Sequence, residues 1–165
     1  MILNHKDAIS FIREDFILKP VKKSNVFELH QILINNLNID TGFRKHLVAI
    51  TNPTYIPCDN EFQINTFFKD ALKKINSSES ILSKAIIANL LIAYLQPFSD
   101  GNKRTSRMLG NAILISNRAL PVSFIHTPKE EYIKAILSFY ELLDPSYFKR
   151  LFLNELNNSF LRYIG

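Results

Sequence analysis

Residues 96–107 read Gln-Pro-Phe-Ser-Asp-Gly-Asn-Lys-Arg-Thr-Ser-Arg, and their types and spacing suit the chemistry of phosphate. Asp100-Gly101 make a turn, and Lys103, Arg104 and Arg107 open the apolar-periodic run that follows. The first turn of a helix carries N–H groups without intrahelical partners, and its macrodipole is positive there. Such an end binds phosphate unaided. Gly101 permits φ > 0, so successive N–H groups can converge on one anion. Arg104 and Arg107 share a helical face and can grip different oxygens of one polyphosphate. Asp100 beside bound phosphates suits Mg²⁺, whose octahedron phosphate oxygens and water complete. Taken singly, these features are an ordinary turn and a solvated basic face. Together in one short stretch they point to a polyphosphate ligand. No Gly-x-x-x-x-Gly-Lys-Ser/Thr occurs, so the P-loop solution does not apply.

Helices must hold this loop. The apolar run 85–95 ends at Pro97 and reads as the central core helix, spanning 80–96, with a second helix over 102–117 on the other side of the loop. Upstream, helices are predicted over 7–16, over 24–34 with Ser24 as N-cap, and over 61–75, where Phe62, Ile64, Phe67, Phe68, Leu72 and Ile75 fall near helical spacing. Thr127-Pro128-Lys129-Glu130 reads as a capping box with proline at the first helical position, starting a helix to about 143. Asp144-Pro145 repeats the device for a last helix to about 163. Between residues 46 and 57, the β-favouring Leu47-Val48-Ala49-Ile50, the turn Asn52-Pro53 and Tyr55-Ile56 predict a hairpin. The fold class expected is all-α, with one small β-hairpin.

The stretch 96–107 resembles the signature of the Fic family, His-Pro-Phe-x-Asp/Glu-Gly-Asn-Gly/Lys-Arg-x-x-Arg, departing at its first position. Leu29-His30, Gly42-Phe43-Arg44, Val48, Ile50, Tyr55-Ile56-Pro57, Leu109, Asn111 and Leu120-Pro121 also look like Fic cores, over roughly residues 24–142. The resemblance implies a helical bundle in one domain, 1–165, with terminal helices flanking that core. It implies an enzyme that moves AMP from ATP onto a hydroxyl of a target protein. Carried over position by position, Asp100 would hold Mg²⁺; Gly101, Asn102 and Lys103 would form the anion hole; Arg104 and Arg107 would contact the phosphates. The hairpin would be the family's flap, docking the target along Leu47, Val48, Ala49 and Ile50.

The departure is Gln96, which stands where the family has its catalytic histidine. A glutamine amide accepts a hydrogen bond and can orient a nucleophile, but it does not take up a proton near neutral pH. Losing a general base typically costs about 10²–10⁴ in rate, while stabilisation by an anion hole survives. Gln96 is either a natural replacement in a weakened or repurposed domain or an introduced one that silences an active enzyme. The remaining histidines, His5, His30, His46 and His126, are not placed near the loop by sequence. The family's inhibitory element, Ser/Thr-x-x-x-Glu-Gly/Asn, has three partial matches, ending at Glu14, Glu28 and Glu131; each departs at the sixth position. Of these, Glu14 lies on an N-terminal helix, where the family sometimes puts the element.

The 165 residues are enough for one domain with a sizeable core, and 47% hydrophobic and 21% charged residues are ordinary for a globular protein. The net charge of +5 suits nucleotides or acidic partners, but the basic residues are scattered and form no nucleic-acid-binding arm. The single cysteine, Cys58, forms no internal disulfide and fits a reducing, cytoplasmic setting; the sequence puts no cation beside it. The charged residues among 1–15 do not read as a secretory signal, and the run 85–95 is too short for a membrane span. The aromatic stripes are core or dimer contacts, which leaves a homo-oligomer open. Two functional classes follow: a Fic-type nucleotidyltransferase impaired at Gln96, with an unidentified target protein, or a non-catalytic module that holds a nucleotide or peptide in the same groove. A related transferase with another phosphate donor is a third.

Overall fold

The computed structural model describes residues 2–14, 20–48 and 55–164, without the side chains of Ile2, Glu14, Tyr163 and Ile164. Among the described residues seven helices follow one another: α1 (Ile2–Glu14), α2 (Lys23–Ile34), α3 (Glu61–Ser77), α4 (Ile81–Leu95), α5 (Asn102–Ser116), α6 (Lys129–Leu142) and α7 (Ser146–Ile164). Among the described residues no strand is present. The expected hairpin falls largely on 49–54, including Ala49 and Ile50, which lie outside the described residues.

The order of the layers follows from α4. Its sequence is apolar on nearly every side, so it can be satisfied only at the centre, and α3, α5, α6 and α7 all pack against it. Its most extensive partner is α5, which α1 and α2 cover from the other side. A Cβ at Gly110 on α5 would lie 3.2 Å from the Ala85 carbonyl oxygen, so the two helices approach closely there. Phe68, Phe98, Phe148 and Phe152 are all but fully buried; burying one such ring contributes about 1.5–3 kcal/mol.

Three asparagines fasten the connections, each closing two hydrogen bonds on a single residue's backbone. Asn76 accepts from the Val21 N–H and donates to its carbonyl, both at 2.9 Å. Asn111 does the same to Val122 at 2.8 and 3.0 Å. Asn102 does it to Phe98, inside the loop between α4 and α5, with both bonds at 2.8 Å.

Several helix ends differ from expectation. α1 starts five residues earlier than the predicted 7–16, and residues 15 and 16 of that prediction lie outside the described residues. The cap of α2 is Lys22 and not Ser24: the Asn25 side chain accepts from the Lys22 N–H at 2.8 Å and so takes over the capping contact. α6 begins at Lys129 with Pro128 as its cap, and Thr127 makes no capping bond; its hydroxyl donates instead to Glu155 Oε1 at 2.7 Å, tying α6 to α7. α7 likewise begins one residue after its proline, at Ser146, while Asp144 accepts from the Ser146 N–H at 2.9 Å as its expected cap. No described helix is long and apolar enough to cross a membrane.

Candidate functional site

The loop 96–101 turns sharply because two residues adopt left-handed backbone. Gln96 ends α4 at φ 48° and ψ 55°, and Gly101 opens α5 at φ 81°. Glycine takes this conformation freely, while a residue with a Cβ is strained by about 1–3 kcal/mol. At Gly101 space forbids a side chain as well: a Cβ would sit 3.3 Å from Ile34 and 3.5 Å from His30. At Gln96 the strain is held by four hydrogen bonds. Its N–H donates to the Ile92 carbonyl, its carbonyl accepts from Arg44 Nε at 2.6 Å, and its amide Nε2 donates to Ala93 O at 2.5 Å and to the Tyr140 hydroxyl at 3.3 Å. The Tyr140 hydroxyl itself donates to Ala93 O, and burial pushes that phenol well above its ordinary titration range.

A cavity of about 470 Å³ opens over this turn, lined by Leu47, Val48, Gln96, Ser99, Asp100, Gly101, Asn102, Lys103 and Arg104. The fold therefore brings together eight of the residues singled out in the sequence. Arg107 lies elsewhere. It borders a second cavity of about 710 Å³ between α1, α5 and α7, with Arg104 as the shared wall. Its guanidinium stands 5.4 Å over the Tyr132 ring, whose phenol burial pushes up to about 12.

The electrostatics of the first cavity are positive. Burial lowers the Lys103 pKa, and the nearby Arg107 and Lys129 lower it further. Asp100 partly offsets this field: its Oδ2 pairs with Arg104 Nη2 at 3.0 Å, and its Oδ1 accepts from the Gly101 N–H. Arg104 Nη1 is buried and without a partner. The Asn102 side chain is spent on Phe98, so its contribution to a bound anion comes from its N–H in the first turn of α5.

Framing the site are three residues to which sequence reasoning gave no role there. His30, which the sequence did not place, lies directly against the loop: its ring stacks on Phe98 with centroids 3.7 Å apart, and Nε2 meets Asp100 O at 3.0 Å. Tyr140, from α6, reaches Gln96. Arg44, 1% exposed, joins the loop to the segment carrying Leu47 and Val48 and also contacts Cys58, the residue that sequence left without a nearby cation. The resemblance quoted His30 and Arg44, but only long-range packing gives them partners. Glu14 closes α1, and its side chain lies outside the described residues. Glu28 and Glu131 are exposed.

Residues 20–114 match the Fic/DOC family. A probable protein adenylyltransferase of Aquifex aeolicus is 28% identical over 118 residues, covering 70% of this chain and 36% of the relative. The solved structure of residues 134–508 of Fic-1 from C. elegans superposes with a TM-score of 0.80 at 24% identity, over 99% of this chain and 50% of that one. BepC of Bartonella tribocorum, solved with bound AMPPNP, superposes with a TM-score of 0.71 at 18% identity, over 92% of this chain and 81% of the other. The chain thus spans about a third of the length of the curated relatives it matches. With the family match covering more than half of its residues and the helical architecture shared throughout, this chain belongs to the Fic/DOC family.

Proposed function

We propose that this domain binds Mg²⁺–ATP at the N-terminus of α5, and that it is built for Fic-type transfer of AMP to a hydroxyl of a target protein, with the transfer step weakened by Gln96. The observation that carries this reading is the cavity in which Gln96, Asp100, the left-handed Gly101 and the cationic first turn of α5 converge. Relatives named protein adenylyltransferase support the reaction class, and the AMPPNP held by BepC supports the ligand class.

In such a transfer the target oxygen bonds to the α-phosphorus, the bond to the pyrophosphate oxygen breaks, and the hydroxyl proton must leave. The α5 N–H groups and Lys103 bind and orient the phosphates and stabilise charge that builds on them. Gln96, standing where the resemblance expects a histidine, can accept a hydrogen bond from the hydroxyl but cannot carry its proton away. The residues present fit a metal brought in by the nucleotide: Asp100 is one exposed carboxylate, and no cluster of acidic, His or Cys side chains among the described residues forms a cage. Mg²⁺ held by Asp100 and phosphate oxygens would neutralise phosphate charge. A second reading, a non-catalytic nucleotide-binding module, is favoured by the Gln96 amide being engaged by Ala93 and Tyr140. A cytoplasmic setting belongs to the proposal, supported by its need for ATP and by a single cysteine.

Calorimetric titration of the full chain with Mg²⁺–ATP tests the claim. Binding should be measurable and should weaken when Arg104 or Lys103 is replaced by alanine. Absence of heat at millimolar ATP overturns it.

A further inference from the structure

Arg44 lies on the connection between α2 and α3, far from the loop in sequence, yet it makes four hydrogen bonds to main-chain carbonyls at the site. Its own N–H donates to Pro97 O at 2.9 Å, and Nε donates to Gln96 O at 2.6 Å. Nη1 donates to His46 O at 2.8 Å and Nη2 to Cys58 O at 2.5 Å. Two of these acceptors flank the strained corner at the end of α4. The other two lie on the connection between α2 and α3, at His46, next to the cavity-lining Leu47, and at Cys58, shortly before α3. One planar fork therefore fixes three separate stretches of chain relative to each other.

The choice of an arginine here is expensive on stability alone. The side chain is among the largest that are fully buried, and among the described residues no carboxylate is ion-paired with it. A buried cation satisfied only by carbonyls carries a large desolvation cost, and apolar replacements of such buried charges are often neutral or stabilising. What an apolar side chain cannot supply is several donors in a rigid plane. Tyr55 adds a second tie on the same segment: its hydroxyl donates to Tyr94 O at 2.6 Å, on the last turn of α4.

Resting on the AMP-transfer reading above, we propose that Arg44 is a positioning residue that couples the chain at His46 and Cys58 to the Gln96 corner, so that the cavity rim at Leu47 and Val48 and the side chain at position 96, which meets the target hydroxyl, are placed as one unit. Its action is on the position of the hydroxyl, not on the phosphates. Loss of the fork should therefore separate transfer from nucleotide binding.

The test uses Arg44→Lys in the full chain, alone and combined with Gln96→His. Lysine keeps the charge but has a single point of donation. Hydrogen exchange at 46–48 and 55–58 should rise about tenfold or more while exchange in α4 and α5 changes little, since opening is local. The affinity for Mg²⁺–ATP should stay within about threefold, whereas the kcat for AMP incorporation from labelled ATP into the Gln96→His chain should fall by about 10²-fold, the usual effect of small misplacement. Unchanged exchange at both ends of the segment overturns the coupling. So does a fall in ATP affinity and kcat by one common factor, which would mean general unfolding. If Gln96→His itself transfers no AMP with Arg44 intact, the transfer reading fails, and the exchange measurement still decides the clamp.

Discussion

The His30 imidazole lies flat on the Phe98 ring, 8° from parallel, and its Nε2 meets the Asp100 carbonyl at 3.0 Å. One side chain of α2 thus holds the 96–101 loop, its Nε2–H donating to the Asp100 carbonyl while its buried Nδ1 has no partner. Burial, the largest influence, lowers its pKa below the ordinary 6.5; Arg104 lowers it further, and Asp100 opposes the shift. The unfolded chain therefore takes up a proton on acidification before the folded chain does. The contribution of His30 to stability is complete above pH 6.5 and is lost as the pH falls from there through the lowered folded value. The melting temperature should drop between neutral pH and pH about 5, and the slope should flatten in His30→Gln. Equal slopes by scanning calorimetry would exclude the assignment.

Asp100 separates stability from ligand binding. Its ion pair with Arg104 has a carboxylate that is 66% exposed, and exposed pairs contribute about 0–1 kcal/mol. Asp100→Asn should leave the melting temperature within about 2 °C, the shift such a pair allows. If Asp100 holds the nucleotide's Mg²⁺, the same substitution removes the gain in ATP affinity that Mg²⁺ gives. Retention of the full gain, measured by titration with and without Mg²⁺, refutes that role.

Gln96→His restores a group able to take a proton at neutral pH. AMP incorporation from labelled ATP should rise by about 10²-fold or more. The bonds that Gln96 Nε2 makes to Ala93 and Tyr140 offer an imidazole N–H an acceptor in the same place, which leaves its other nitrogen to act as base. Equal incorporation by the two forms would show that the base is elsewhere or that the fold does not transfer AMP.

Val48 is half-buried on the rim of the cavity. A target strand added there would use main-chain hydrogen bonds, so Val48→Pro, which removes an N–H, should abolish target modification by the Gln96→His chain. ATP affinity should be unaltered. Modification at the unaltered rate would remove 46–57 from target docking.

The local signals were legible wherever a short stretch contained its own cause. α4 and α5 begin and end within a residue of where the apolar period, Pro97 and Gly101 put them. The cap of α2 and the start of α6 were misplaced because the decisive groups were in competition: Asn25 displaced Ser24, and Thr127 found Glu155 across the bundle. Nothing in a local pattern ranks such rivals.

By itself the sequence determined a helical chain, a left-handed glycine opening α5, and a cationic first turn of that helix, since hydrophobic period, turn chemistry and charge act over a few residues. It also carried the absence of a titratable group at position 96. Only the tertiary structure decided that Arg107 faces a different cavity from Lys103, that Asn102 spends its side chain on Phe98, and that His30, Arg44 and Tyr140 frame the loop. Each of those outcomes depends on which helix faces pack together. Asn102 and Phe98 are four residues apart, but the partners of His30, Arg44 and Tyr140 lie tens of residues away, and a buried polar group bonds to whatever the packing brings within reach.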